Sequence, residues 1–465
     1  MVPRNLSFVK TPPQAPGLPL LGNIVEFRQD PLGFLRRMQA EHGDVVGLAL
    51  GPMKTVLLSH PDYVEDILVT RNRLWLKDRF LQTTLKPVLG EGLLSSEGDF
   101  WRRQRRLSQP AFHRERIASY GEIMVRHTEK LAREWRDGAQ RDVHKDMMRL
   151  TLEIVAEALF GASVGNQADV VGEALEAIQA VVSNPLELFF PALRRLPTRS
   201  RRRFKRAVGK LDAIIYELVD RRRKGSSPAT NDFLSMLLDA KDEDGSSMSD
   251  LQLRDECMTL FLAGHETTAL VLSWTWLLLS KHPKVRTKLT AEIDDVLGDR
   301  SATISDVPRL KYTAFVINEA LRLYPPAWSM GREAKEDVEI AGYRIEKGMQ
   351  VWFCPWAMHR DPRWFADPDE FLPERWEGDF QKTLHRYAYF PFGGGPRFCI
   401  GQAFAQMEAV LILATLARSF ELDVLAKPRA IPEPSVTLRP KHGVHVRLRK
   451  RPAPQKVAVA SASLS

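Results

Sequence analysis

The sequence predicts a mainly α fold with a small β-rich portion, arranged as a single domain. Three observations carry that expectation. Apolar residues recur at helical spacing through long stretches after residue 100. Strand-like runs are few and short. The connections between helical stretches are short and polar, and none reads as an interdomain linker. The 465 residues are 44% hydrophobic and 27% charged, which leaves ample material for one large core.

The chain opens on a Pro-rich lead-in, residues 1–30, and its segment Pro12–Pro19 is expected to run extended. No apolar run there is long enough for a signal peptide or a membrane anchor, so a soluble, cytoplasmic protein of bacterial type is expected. Residues 31–450 make up the expected domain. Its strand-like runs are Val45–Leu50, Thr55–Leu58, Val338–Ile345 and Val444–Leu448. Amphipathic helices are predicted around 115–138, 143–160, 167–182 and 201–223. The longest predicted helix runs from Ser249 to His282 and stops at Pro283. Ser249, with Gln252 three residues on, has the form of a capping box. The segments 224–231 and 242–249 are polar, turn-rich connections. Residues 451–465 form a small, polar tail that is expected to be disordered.

Three cysteines, Cys257, Cys354 and Cys399, leave an odd number without disulfide-framework spacing, which suits a reducing compartment. The net charge of +9 is clustered at Arg102–Arg106, Arg194–Arg206, Arg221–Lys224 and Arg447–Arg451. No nucleic-acid-binding motif accompanies these clusters, so nucleic acid is excluded as a partner. Solvated helix faces and a basic tail account for most of the excess.

The run FPFGGGPRFCIG, Phe390 to Gly401, carries the chemistry. Cys399 sits in a glycine-rich turn, two residues after Arg397 and just before a predicted helix that starts at Gly401. A cationic neighbour and a helix amino end both favour thiolate over thiol, so the Cys399 pKa is expected to fall. Gly393, Gly394, Gly395 and Gly401 free the turn to take positive φ and let a flat ligand approach the backbone.

The long helix presents the second constellation. Its interior, Met258 to Leu279, is apolar enough for a membrane span, yet His265, Glu266, Thr267 and Thr268 stand in its middle. A helix buried in a large core fits better. An unpaired polar group there costs roughly 2–7 kcal/mol on transfer scales. Ala263 and Gly264 leave room one turn before Thr267, whose hydroxyl can divert a carbonyl from the helix ladder and open a groove. The plainer alternative has Glu266 and His265 satisfying each other or the backbone. A third pattern, Glu319 and Arg322 at i, i+3 in NEALRLYPP, sets an acid and a base on one helix face.

These residues together resemble the cytochrome P-450 superfamily, the heme-thiolate monooxygenases. Phe392, Gly395, Arg397, Cys399 and Gly401 fill every fixed place of F-x-x-G-x-R-x-C-x-G, and AGHETT resembles the family's distal motif. The resemblance implies a cytochrome P-450 fold holding heme b, with Cys399 as the iron ligand, Arg397 on a heme propionate and Phe392 beside the sulfur. A thiolate ligand donates electron density that favours cleavage of a bound O–O bond. Ala263 and Gly264 would flank the oxygen site. Thr267 would hydrogen-bond there, and Glu266 would pass solvent protons to it as a general acid. Trp101 and Arg105 fit the family's W-x-x-x-R helix that reaches a propionate, and Arg332 in SMGREA holds the place of another propionate-pairing arginine. Glu319 and Arg322 fit E-x-x-R, with Arg375 of FLPERW completing a buried triad. Trp376 stands where phenylalanine is common, a change expected to be without consequence.

The implied reaction places one atom of O2 in a lipophilic substrate: a fatty acid, terpenoid or carotenoid. Apolar stretches at Leu74–Leu94, Asn184–Pro197, Pro326–Met330 and Val436–Leu438 are candidate substrate walls. Electrons would come from NAD(P)H through a separate ferredoxin or flavodoxin-type donor and its reductase. The first basic cluster is a candidate face for that donor, and the second a candidate for peripheral membrane contact. A peroxide-driven peroxygenase and a non-catalytic heme sensor are the rivals. The intact Glu266–Thr267 pair places both below the monooxygenase.

Overall fold

The computed structural model describes residues 10–162, 168–182, 196, 198–224, 232–242 and 245–452. The tail beyond Pro452 and the candidate wall 184–195 lie outside those residues. The long helices are α1 Pro31–His42, α2 Gly98–Ser108, α3 Arg114–Glu134, α4 Val143–Phe160, α5 Ala168–Val182, α6 Arg199–Arg223, α7 Asp250–Lys281, α8 Pro283–Leu297, α9 Lys311–Leu323 and α10 Gln402–Ser419. Hydrophobic periodicity located the helices from α3 to α7 to within a few residues at each end. The capping box of α7 is formed: Ser249 Oγ accepts from Gln252 N, and Gln252 Oε1 accepts from Ser249 N. Helix α4 starts on Asp142, whose carboxylate accepts from His144 N, and ends on Gly161 at φ +58°.

Helix α7 is the axis of the larger core. It packs on α4, α6, α9 and α10. From Leu253 to Phe261 and from Thr268 to Leu279 it is buried on every side, as its apolar sequence requires. Among the described residues no helix is long and apolar enough to cross a membrane.

The β portion is larger than the sequence predicts. Strands β1 Val45–Leu50, β2 Met53–Leu58, β3 Trp75–Lys77, β5 Met330–Ala334 and β8 Gln350–Phe353 form one sheet in the order β1-β2-β8-β5-β3. Strands β4 Gln140–Asp142, β9 Phe420–Val424 and β12 His445–Lys450 form a second. Two hairpins complete the set: β6 Val338–Ile340 with β7 Tyr343–Ile345, and β10 Pro432–Pro434 with β11 Leu438–Pro440. The run Val338–Ile345 is thus two strands, turned at Ala341 and Gly342, both at positive φ. Strands of three to five residues are too short for alternation to show, which is why β3, β5, β8 and both strands of the last hairpin escape a reading by period. The lead-in lies along β1 through Ala15 N to Gly47 O and Gly47 N to Pro13 O.

A buried charge cluster ties α9 to the segment before the cysteine loop. Glu319 and Arg322 are fully buried and paired at 2.8 Å, and Arg375 Nε reaches Glu319 Oε1 at 2.9 Å. The remaining guanidinium hydrogens of Arg322 go to the carbonyls of His359, Pro368 and Glu370. Those of Arg375 go to Ala366 and Asp367. A buried charge is tolerable when its protons are met, and all five of Arg322 are. Trp376 corrects one expectation. Its indole Nε1 donates to Glu319 Oε2 at 2.9 Å, a bond phenylalanine cannot make.

Replacing Trp376 with Phe leaves Glu319 one donor short at a fully buried position. The loss is expected to be about 1–3 kcal/mol, read as a lower midpoint in urea unfolding. An unchanged midpoint would show that the indole only fills space.

Candidate active site

The loop that carries Cys399 is held by its own backbone. Cys399 N donates to Phe392 O at 3.1 Å, and Phe398 N to Gly395 O at 3.0 Å. Gly395 sits at φ +62°, and a Cβ there would fall 1.8 Å from Leu68 O, so only glycine fits. The next helix, α10, starts at Gln402 with Gly401 as its N-cap, so Cys399 lies just ahead of the helix amino end. Cys399 is exposed.

Its ionisation departs from expectation. Desolvation by the surrounding protein pushes the Cys399 thiol up, past the downward pulls of the Gly401 N–H and of Arg105. The cation beside the sulfur is Arg105, whose Nη1 donates to Phe398 O at 3.0 Å. Arg397 points elsewhere. A bound metal cation would favour the thiolate over the thiol at this sulfur.

A second exposed spot lies on α7. Between two fully buried stretches, Ala263 is exposed and Leu262, Gly264, Glu266 and Thr267 are partly so. Thr267 Oγ1 donates to Ala263 O at 2.8 Å, the back-bond that loosens a helix at this turn. Gly264 has its Cα toward Val155 of α4, where a Cβ would meet Val155 Cγ2 at 3.2 Å. His265 and Glu266 do not satisfy each other. His265 Nδ1 lies 2.7 Å from Phe261 O, whereas Glu266 Oε1 accepts from Thr437 Oγ1 at 2.7 Å and lies 3.5 Å from Arg439 Nη2.

Around the cysteine loop is a group of sheltered cations. Arg397 lies 3.9 Å over the Trp101 ring, and its Nη2 donates to Glu97 Oε2 at 2.6 Å, but its buried Nη1 has no partner. Arg332 is partly buried, and its Nη1 donates to Gly331 O at 2.6 Å. Lys77, which the sequence reading missed, stands directly across from Arg332 in the β3–β5 register. Like charges facing each other on a sheet repel. Burial, with Arg332 and Arg397 nearby, holds the Lys77 ammonium well below its usual range, and burial pushes Arg397 down to about 10. Asp78 and Glu97 are the carboxylates that oppose Lys77 and Arg332, and Glu97 also accepts from Lys77 N at 2.6 Å. Three sheltered cations therefore share two carboxylates, with one guanidinium nitrogen unmet among the described residues.

That surplus is what a macrocycle bearing two carboxylates would neutralise, with Cys399 as the residue that would hold its metal. The residues present fit heme b. The comparisons with known proteins agree. The sequence model of the Cytochrome P450 family matches residues 12–447. The chain belongs to the cytochrome P450 family. Among its relatives is cyclooctatin synthase of Streptomyces melanosporofaciens, 40% identical, the match covering 91% of this chain and 92% of that protein. Another is cyclooctat-9-en-7-ol 5-monooxygenase of the same organism, 37% identical over 88% of this chain and 89% of that one. The solved structure of the retinoic acid bound cyanobacterial CYP120A1 superposes with a TM-score of 0.85 at 26% identity, covering 96% of this chain and all of that one. As a P450 monooxygenase the chain uses heme b bound through a cysteine thiolate, with O2 and a lipophilic substrate.

The surplus charge makes a directional prediction. Lys77→Met removes a repelling cation from the heme-free chain and a carboxylate partner from the loaded one. Transfer of hemin to an excess of an apo-globin acceptor should speed up roughly ten- to a hundredfold, the worth of a charged hydrogen bond. The heme-free variant should be no less stable than wild type. A slower transfer, or a destabilised heme-free chain, would remove Lys77 from the carboxylate site.

Proposed function

We propose that this P450 places one atom of O2 in a lipophilic cyclic terpenoid, with Cys399 as the iron ligand and electrons from a separate donor protein. The observation that carries the reading is the exposed Cys399 beside an under-neutralised set of sheltered cations, with a second exposed spot at Ala263–Thr267 in an otherwise buried helix. Relatives named for oxidising terpenoids support the substrate class, and a neighbour with bound retinoic acid supports a large apolar ligand.

Heme, when bound, supplies the reductive activation of O2. The chain's own residues do the rest. Cys399 holds the metal, and the sheltered cations Lys77, Arg332 and Arg397 hold the carboxylates. Thr267 presents a hydroxyl at the loosened turn of α7. Glu266, beside it and partly exposed, is the group able to take a proton from solvent and bring it inward. The apolar core packs against α7 on either side of that turn.

The donor's face follows from α2. Trp101, Arg102, Arg105, Arg106, Gln109, Pro110 and His113 line a cleft of about 370 Å³. Arg105 joins that cleft to the cysteine loop through Phe398 O. An acidic donor docking there sits one side chain away from the loop that holds the sulfur, and its association should weaken as salt rises.

The test is isotopic. Hemin-loaded protein with NADPH, a ferredoxin–reductase pair and a panel of cyclic terpenes is expected to give product with one 18O atom per turnover from 18O2. Thr267→Ala is expected to keep heme and substrate binding while diverting most of the electrons to peroxide. Product formed equally well from hydrogen peroxide without reductant would favour the peroxygenase instead. Wild-type coupling in Thr267→Ala would remove Thr267 from the reaction.

A further inference from the structure

The carboxylate of Glu266 is not free to move inward. It is held by a hairpin distant in sequence. Thr437 Oγ1 donates to Glu266 Oε1 at 2.7 Å, and Arg439 Nη2 lies 3.5 Å from the same oxygen. Glu266 and Thr267 are adjacent on a helix, so their side chains diverge by about 100°. A carboxylate drawn to the hairpin is therefore drawn away from the Thr267 face.

The hairpin itself is fixed. Trp274 Nε1 of α7 donates to Leu438 O at 3.0 Å, Leu438 N donates to Pro326 O at 3.0 Å, and Trp328 Nε1 donates to Ser435 O at 2.9 Å. Thr437 and Leu438 are buried. Arg439 is paired across the hairpin with Glu433 and feels Glu176 of α5, and its buried Nε has no partner. Its guanidinium and the Glu266 carboxylate are 26% and 19% exposed, sheltered enough for the pair to count for more than a surface contact. His144 of α4 also faces this pair, but burial pushes it down to about 4, so it adds no charge at neutral pH.

We propose that Thr437 and Arg439 are positioning residues that latch Glu266 off the Thr267 face, so that proton delivery begins with the carboxylate leaving a rigid hairpin. The carboxylate is the part that moves, and the hairpin is the part that stays. This rests on the proposed monooxygenase reading, since it assigns Glu266 a proton to carry. With the latch broken, Glu266 reaches inward whether or not substrate is present. Reducing equivalents then leak: O2 takes two electrons from the NADPH-driven donor and two protons from solvent through Glu266, leaving as hydrogen peroxide.

The experiment compares Thr437→Val, Arg439→Gln and Arg439→Lys with wild type as hemin-loaded full chains, at matched heme content and ferrous–CO spectrum. Without substrate, Thr437→Val and Arg439→Gln should raise peroxide formation several-fold, and Arg439→Lys should recover most of the wild-type value. Adding Glu266→Gln to Arg439→Gln should abolish the excess. A urea-unfolding double-mutant cycle on Glu266→Gln and Arg439→Gln should be non-additive, a readout independent of turnover. Additive unfolding, an unchanged leak, or a leak that survives Glu266→Gln would overturn the latch. The two readings separate cleanly. Wild-type protein that forms no oxygenated product, or forms as much with Glu266→Gln alone, sinks the monooxygenase reading. Wild-type product that needs Glu266, with no effect from the hairpin variants, sinks the latch only.

Discussion

Charge buried without its counter-charge is the constraint that organises this molecule. A cation removed from water must be met by an anion, give up its proton, or destabilise the fold. At Glu319 the requirement is met within the chain: Arg322, Arg375, Trp376 and the Leu372 N–H all converge on one carboxylate. Around Lys77, Arg332 and Arg397 it is not met, and Arg397 Nη1 is left without an acceptor. The contrast separates a cluster that builds the scaffold from one that waits for a ligand. The same logic reaches Cys399, where desolvation opposes the thiolate and a bound metal would favour it.

The scaffold positions both faces of the site by different means. On the sulfur side the backbone does the work. Gly395 can take its positive φ and press against Leu68 O only because it lacks a Cβ, and Cys399 N returns to Phe392 O. On α7, a helix buried all round on either side is exposed at one turn, where Thr267 Oγ1 donates to Ala263 O. The polar residues in that turn do not share a single purpose. His265 turns its Nδ1 back to Phe261 O of its own helix, Gly264 lets α4 approach, and Glu266 reaches out to a hairpin near the carboxyl end of the chain.

Much of this was legible from the residues. Helical period located α3 to α7, and the spacing around Cys399 and in AGHETT pointed to both faces of the site. What was not legible came from elements too short to have a period. Strand β3 is three residues long, so nothing in WLK announced that Lys77 would face Arg332 across a sheet. The hairpin that holds Glu266 is likewise two strands of three residues. Two other differences are matters of direction, which spacing does not encode. Arg397 turns away from the sulfur to lie over Trp101, leaving Arg105 as the neighbouring cation. Trp376, a substitution that looked neutral, supplies a hydrogen bond to the fully buried Glu319 carboxylate.

A crystal structure of the hemin-loaded chain tests the central claim most directly. The account predicts continuous density between Cys399 Sγ and the iron, the porphyrin carboxylates against Lys77, Arg332 and Arg397, and Thr267 on the open side of the ring. A porphyrin held by another residue, or carboxylates turned to solvent with those three cations still uncompensated, would contradict it.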